Sequence, residues 1–140
     1  MVLSDGMGSG EHAFQESAMV VEMLEELLEA GFPPQTAVQM MNTALVAGRE
    51  ELCFSTVDMC VFDLYQGTCE LMKAGASTTF IRTGGGVEKI SSTTLPIGVL
   101  QELEIQRTCR QLADGDFVIM VTDGVLDALP VGNQEAMLSA

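Results

Sequence analysis

The sequence is poor in basic residues, and this scarcity limits the partners that the protein can have. Six Lys and Arg residues against twenty Asp and Glu residues give a formal net charge of −14. The excess argues against nucleic acid as a partner, because nucleic-acid-binding proteins use Lys and Arg to neutralise phosphates. It is compatible with cation binding, although most of the acids are expected only to solvate the surface.

Histidine and paired cysteines are also scarce, which counts against nucleophilic triads and zinc sites. The sequence has no G-x-S-x-G motif, and any His-dependent triad would depend on His12 alone. The cysteines form no C-x-x-C pair and no zinc-like group; they are Cys53, Cys60, Cys69 and Cys109. Since Cys60 and Cys69 lie in apolar runs, we interpret them as reduced core thiols in a reducing, cytoplasmic setting.

Long hydrophobic runs are missing as well. No apolar stretch approaches the roughly 18 residues that cross a bilayer, and the N-terminus lacks a signal-peptide pattern. We expect a soluble segment, although a longer parent could be anchored in a membrane. Met1 lies directly against a strand-like run, and the chain stops within a plausible helix at 133–140. We therefore interpret residues 1–140 as a single partial domain of a longer protein.

Two amphipathic helices are predicted in the first third of the chain. Apolar residues recur at helical spacing from Glu11 to Ala30 and again from Pro34 to Ala47, with Gly31 and Gly48 as natural stops. The short connection between them indicates an antiparallel pair. Their apolar faces are explained equally by an intramolecular core and by a homodimer, and the sequence leaves both interpretations open.

From residue 55 the pattern changes to short strands joined by tight turns. The last two of these strands are predicted to pair around Asp114-Gly115-Asp116. The full set of predicted strands is 56–63, 69–74, 79–82, 87–90, 104–112 and 117–122. This succession indicates an antiparallel meander, covered on one face by the helix pair at 11–48, and therefore an α+β fold class.

Two Asp-Gly pairs, Asp5-Gly6 and Asp123-Gly124, each follow a short apolar run that is predicted to be a buried strand. A strand fixes the carboxylate in space, and the Gly lets the backbone turn close to a ligand. Carboxylates without Cys or His partners are typical of sites for Mg²⁺ or Mn²⁺. A lone Asp-Gly is usually only a turn, but two pairs at strand ends favour a metal site.

The Gly-rich loop after Asp5 has a second interpretation. Gly8-Ser9-Gly10-Glu11-His12-Ala13 fits the G-x-G-x-x-A turn of dinucleotide-binding proteins. The predicted antiparallel hairpins supply no βαβ unit, and Asp5 would place a carboxylate near the pyrophosphate of the cofactor. Dinucleotide binding is therefore the less favoured alternative.

Several other polar residues have both a functional and a structural interpretation. His12 is most simply an exposed residue of the first helical turn, with a supporting role beside Asp5 as the alternative. Asp127, one turn after Asp123, either orients a water at the metal or is a solvated acid. Asp58 and Asp63 are interpreted as strand-edge or turn acids. Contact with an anionic substrate is the less favoured interpretation of Arg82 and Lys89.

Five segments, taken in their order along the chain, resemble the PPM (PP2C-like) metal-dependent serine/threonine phosphatases. Within that family they are most similar to the members that act in sporulation. Each segment is a weak signal alone, but their order and spacing over essentially the whole chain are specific. The segments are 4–10 (SDGMGSG), 55–58 (STVD), 73–75 (KAG), 95–98 (LPIG) and 115–124 (GDFVIMVTDG).

The resemblance implies an αββα sandwich with a binuclear Mn²⁺ or Mg²⁺ centre at one end of two stacked sheets. Asp5 would bridge both ions, the Gly6 carbonyl would bind one of them, and Asp123 would hold one. The helix pair would act as a switch that completes the metal site, with Gly8 and Gly10 as its pivot. The implied substrate is a phosphoserine protein, namely a phosphorylated anti-anti-sigma factor whose release activates a sporulation sigma factor.

Departures from the family pattern limit what this chain can do alone. The family has a Gly-Asp before Met1 and an Asp-Asp after Ala140, and both supply metal ligands. Many members also carry a His after the Gly that Gly75 matches, where this chain has Ala76 and Ser77. We expect the isolated chain to bind metal weakly and to turn over poorly or not at all. The alternative function is a non-catalytic PPM-like interaction domain.

Overall fold

The computed structural model of the chain describes residues 1–6, 10–48, 54–75 and 78–128. The described helices are α1 (Glu11–Glu29), α2 (Pro34–Ala47) and α3 (Asp123–Asp127). The described strands are β1 (Val2–Gly6), β2 (Ser55–Asp63), β3 (Thr68–Ala74), β4 (Thr78–Thr83), β5 (Gly86–Ser91), β6 (Gln106–Gln111) and β7 (Phe117–Val121). The helix predicted at 133–140 lies outside the described residues.

The strands form two sheets, in which every described pair is antiparallel. The first sheet has the order β1-β2-β3-β6, and the second has the order β5-β4-β7. The prediction that β6 pairs with β7 is therefore wrong, because Glu70 of β3 lies opposite Cys109 of β6 and Phe80 of β4 lies opposite Ile119 of β7. The turn around Gly115 carries the chain from one sheet to the other instead of closing a hairpin.

The first sheet lies between the helix pair and the second sheet. Alternate residues of β2 point to opposite faces, so Val57 and Met59 pack with the helices while Cys60 packs with the second sheet. The core on the helix side includes Val20, Leu24, Val38, Met41 and Ile97, and the core between the sheets includes Leu71, Ile81 and Ile90. The chain therefore stacks in three layers, α, β and β.

Both front helices begin and end where the sequence predicts. α1 follows Gly10, whose φ of 92° favours glycine, and it stops before Gly31, which has the same φ. α2 begins with Pro34 in its first turn, where a missing N–H costs nothing. Val20 and Leu24 of α1 and Ala37, Val38 and Met41 of α2 are buried within the chain, whereas Phe14 of the predicted apolar stripe is 72% exposed. No described helix is both long and apolar enough to cross a membrane.

Candidate metal centre

Asp5 lies near the end of β1, where the first sheet positions it. Its backbone N–H donates to Thr56 Oγ1 at 3.2 Å, and its register partner in β2 is the same threonine. The next residue, Gly6, is buried against the start of α1. A Cβ built on Gly6 would lie 2.3 Å from the Ala13 carbonyl oxygen, so only glycine allows helix and strand to approach so closely here.

Asp123 is the first residue of α3 and comes two residues after the end of β7. The last residue of β7, Val121, pairs with Thr78 in the second sheet. The pKa of Asp123 lies above its ordinary value, because the surrounding protein partly desolvates the carboxyl and because Asp127 and then Asp5 repel its negative charge. The two predicted ligands thus come from different sheets, and the charge of Asp5 acts on the Asp123 carboxyl at one end of the stack.

The donor set at this end suits a hard divalent cation. The approaching side chains are carboxylates, and their mutual repulsion is what a bound cation relieves. In the described ranges, however, no three or more His, Cys, Asp or Glu side chains are grouped closely enough to hold a metal ion. The residues present therefore fit part of a centre for Mg²⁺ or Mn²⁺.

Of the other residues predicted to assist the centre, some lie close to Asp123 and others do not. Asp127 lies one turn from Asp123, and its negative charge raises the pKa of the Asp123 carboxyl. His12 lies in the first turn of α1, and its Nδ1 is 3.0 Å from Glu16 Oε1, which accounts for it as a helix-surface residue. Gly10 has a φ of 92°, a backbone conformation that favours glycine, and its role as a pivot stays a prediction. Gly8, Ala76 and Ser77 lie outside the described residues.

A buried polar cluster, which the sequence interpretation missed, lies between the sheets. Lys73 Nζ donates to Asp58 Oδ2 at 2.5 Å and to Thr79 Oγ1 at 2.7 Å, and the Thr79 hydroxyl donates to Asp58 Oδ2 at 2.8 Å. Asp58 is fully buried and Lys73 is 1% exposed. The interpretation of Asp58 as a strand-edge or turn acid is therefore wrong. The facing pair Asp58 and Lys73 on adjacent strands was the available signal.

The remaining polar residues weighed in the sequence have structural positions. Asp63 accepts from the N–H groups of Tyr65 and Gln66 in the turn after β2, as predicted for a turn acid. Arg82 lies over the ring of Phe117 at 5.9 Å from its centroid. Lys89 is exposed on β5.

Comparison with known proteins identifies the family. The sequence profile of the family Stage II sporulation protein E (SpoIIE) matches residues 1–139. The chain belongs to this family. Stage II sporulation protein E of Bacillus subtilis is 34% identical over 125 residues, and that of Priestia megaterium is 33% identical over 127 residues. The resemblance to the sporulation members of the PPM family is thereby confirmed.

A solved structure with the same sequence identity as the Bacillus subtilis relative, 34%, supports the fold. The PP2C phosphatase domain of SpoIIE from Bacillus subtilis, solved with a fragment of its regulatory domain, matches with a TM-score of 0.80 and 34% identity over 90% of this chain. The predicted PP2C-like α+β fold is thus confirmed. The dinucleotide-binding interpretation is wrong, since all described strand pairs are antiparallel and form no βαβ unit.

The match covers only a part of each relative. The chain spans 15% of the Bacillus subtilis protein, 22% of the Priestia megaterium protein and 37% of the chain in the solved structure. Family and fold follow from these matches.

Proposed function

We propose that this chain is the central part of a Mn²⁺- or Mg²⁺-dependent protein serine/threonine phosphatase. The observation that carries the proposal is that Asp5 and Asp123 lie at the same end of the two sheets, where the charge of Asp5 helps to raise the pKa of Asp123. Family membership adds support, because the matching solved structure is a PP2C phosphatase domain.

In this proposal Asp5, the Gly6 carbonyl and Asp123 hold the cations. Two bound divalent ions would supply an acidified water at neutral pH and would neutralise the charge of the phosphate. The role of the chain is then to fix the ligands. β1 and β7 bring the two carboxylates together from separate sheets, and the close approach of α1 to Gly6 holds the β1 end in place. Asp127, whose charge raises the pKa of Asp123, would orient a water at the metal.

The proposed substrate is a phosphoserine protein in the cytoplasm, of the anti-anti-sigma-factor type, whose dephosphorylation leads to activation of a sporulation sigma factor. Membership of the SpoIIE family supports this assignment of the substrate. We expect the isolated 140 residues to have little or no turnover, because they span only 37% of the chain in the matching phosphatase-domain structure. The unit to be tested is therefore a longer segment, matched to the phosphatase domain of the relatives, of which this chain spans 37%.

The test is Mn²⁺-dependent phosphate release by that longer segment from a phosphorylated anti-anti-sigma factor. Asp5→Ala and Asp123→Ala should each abolish the release while leaving the fold intact by circular dichroism. Glu29→Gln, which alters an exposed acid at the end of α1, should leave the rate unchanged. A folded segment that releases no phosphate at any Mn²⁺ concentration would refute the proposal and favour a non-catalytic interaction domain.

A further inference from the structure

Asn42 is a polar side chain in the apolar core beneath α2. It is 1% exposed and lies one residue from Met41 and one turn from Val38, both of which pack in the core on the helix side. Burying an amide among apolar side chains costs free energy unless its hydrogen bonds are replaced. An aliphatic residue would fill the same space without this cost, so the polar groups of Asn42 require an explanation.

In the described part of the chain, the side chain of Asn42 hydrogen-bonds to one segment, residues 92–101, which we call the strap. Its Oδ1 accepts from the Gly98 N–H at 2.8 Å, and its Nδ2 donates to the carbonyl oxygens of Leu100 at 2.9 Å and Gln101 at 3.3 Å. Residues 92–101 form no β-strand that would hold the strap in place by itself. Asn42 therefore fixes the conformation of the strap by binding three of its backbone groups.

The strap in turn holds the end of β2 that lies beside Asp5. Ile97 and Ser55 exchange both backbone hydrogen bonds, at 2.9 and 3.3 Å. Ser55 is the register partner of Gly6, and the following residue, Thr56, accepts from the Asp5 N–H at 3.2 Å. A continuous series of hydrogen bonds and strand pairing thus connects α2 to the residues that carry the candidate metal ligands.

A second attachment holds the strap to the same end of the sheet. The Gly75 N–H, at the end of β3, donates to Thr94 Oγ1 at 3.1 Å, and Ser92 Oγ lies 2.6 Å from that hydroxyl. A Cβ on Gly75 would lie 2.9 Å from the Thr56 side chain and 3.4 Å from Pro96, so strap, β2 and β3 are in close contact here. The strap has little room to move unless β2 moves with it.

We propose that Asn42 is a positioning residue for the metal ligands Asp5 and Gly6, acting from α2 through the strap and Ser55. The inference rests on the proposed metal centre. The side-chain amide of Asn42, and not the apolar packing of α2 as a whole, would then set the positions of the ligands in the centre. Loss of the amide frees Gly98, then the Ile97–Ser55 bridge, and finally the end of β1.

The first test is residue-resolved amide hydrogen exchange by NMR on the 140-residue chain, which requires neither metal nor activity. Asn42→Ala should speed exchange roughly tenfold or more at Gly98, Ile97, Ser55 and Asp5 relative to amides in β4. Asn42→Asp keeps the acceptor for Gly98 and loses the donors, so it should protect Gly98 better than Asn42→Ala does. Val38→Ala is the control, because it creates a cavity beneath the same helix without removing a hydrogen bond to the strap. It should not speed exchange selectively at these four amides.

The second test is the Mn²⁺ dependence of paramagnetic broadening at the Gly6 amide in the same variants. The midpoint should rise about tenfold in Asn42→Ala and stay near the wild-type value in Val38→Ala. If wild type binds at Gly6 and Asn42→Ala binds equally well, the metal centre stands and the positioning role is wrong. If wild type shows no broadening there at any Mn²⁺ concentration, the centre itself fails and the proposal with it. Faster exchange confined to residues 98–101 would also overturn it.

Discussion

Replacing Lys73 by Met should lower the free energy of unfolding by roughly 3–5 kcal/mol, the cost of leaving a buried charge without its partner. Asp58 is fully buried, and its Oδ1 has no hydrogen-bond partner in the described part of the chain. After the substitution the carboxylate would keep only the Thr79 hydroxyl. Since the total stability of a domain is about 5–15 kcal/mol, a large share would be lost.

Urea unfolding followed by circular dichroism measures this loss, and the chain offers a matched control. Arg110→Met removes a cation from the pair with Glu88, whose side chains are 42% and 47% exposed, so it should cost at most about 1 kcal/mol. The double variant Lys73→Met with Asp58→Leu removes both buried charges and should recover most of the stability. Equal losses in Lys73→Met and Arg110→Met, or no recovery in the double variant, would refute the reasoning.

Two further predictions concern the close approach at Gly6 and the titration of Cys60. Gly6→Ala forces its Cβ against the Ala13 carbonyl oxygen and should cost roughly 1–3 kcal/mol in urea unfolding, whereas Gly84→Ala, with nothing within 4 Å, should change stability little; equal effects would contradict the packing argument. Burial, followed by the nearby Cys69, raises the pKa of Cys60 from 9.0 to about 12, so the unfolded chain loses this proton at lower pH than the folded chain. The stability contributed by the thiol is therefore complete below pH 9.0 and is lost as pH rises towards about 12; unfolding free energies over this range should fall less steeply in Cys60→Ala, and parallel slopes would show that Cys60 does not titrate as described.

The local elements could be predicted from the sequence because their signals are local. The apolar spacing in α1 and α2 and the stops at Gly31 and Gly48 place both helices within a residue or two of their observed ends. Strand pairing is different, since the turn at Gly115 has the composition of a hairpin whether or not its flanking strands pair. The two sheets follow instead from long-range contacts, such as β6 with β3, that no local pattern encodes.

The candidate site shows the same division. Asp5 and Asp123 could be selected from their positions after predicted strands, but their proximity depends on how the two sheets stack. The Lys73–Asp58 pair was overlooked because a charged residue in a strand is usually exposed, and only its cross-strand partner makes burial tolerable. Asn42 gave no signal in the sequence, because its partners are backbone groups more than fifty residues away.

The central claim is that Asp5 and Asp123 bind one divalent centre together, and Mn²⁺ titration of the isotope-labelled chain tests it most directly. As Mn²⁺ is added, paramagnetic broadening should be strongest at the amides of Gly6 and Gly124 at the same time. It should be lost at both positions in either Asp5→Asn or Asp123→Asn. Broadening spread over the acidic surface of α1, and unchanged by these substitutions, would contradict the claim, because the net charge of −14 alone would then explain cation binding.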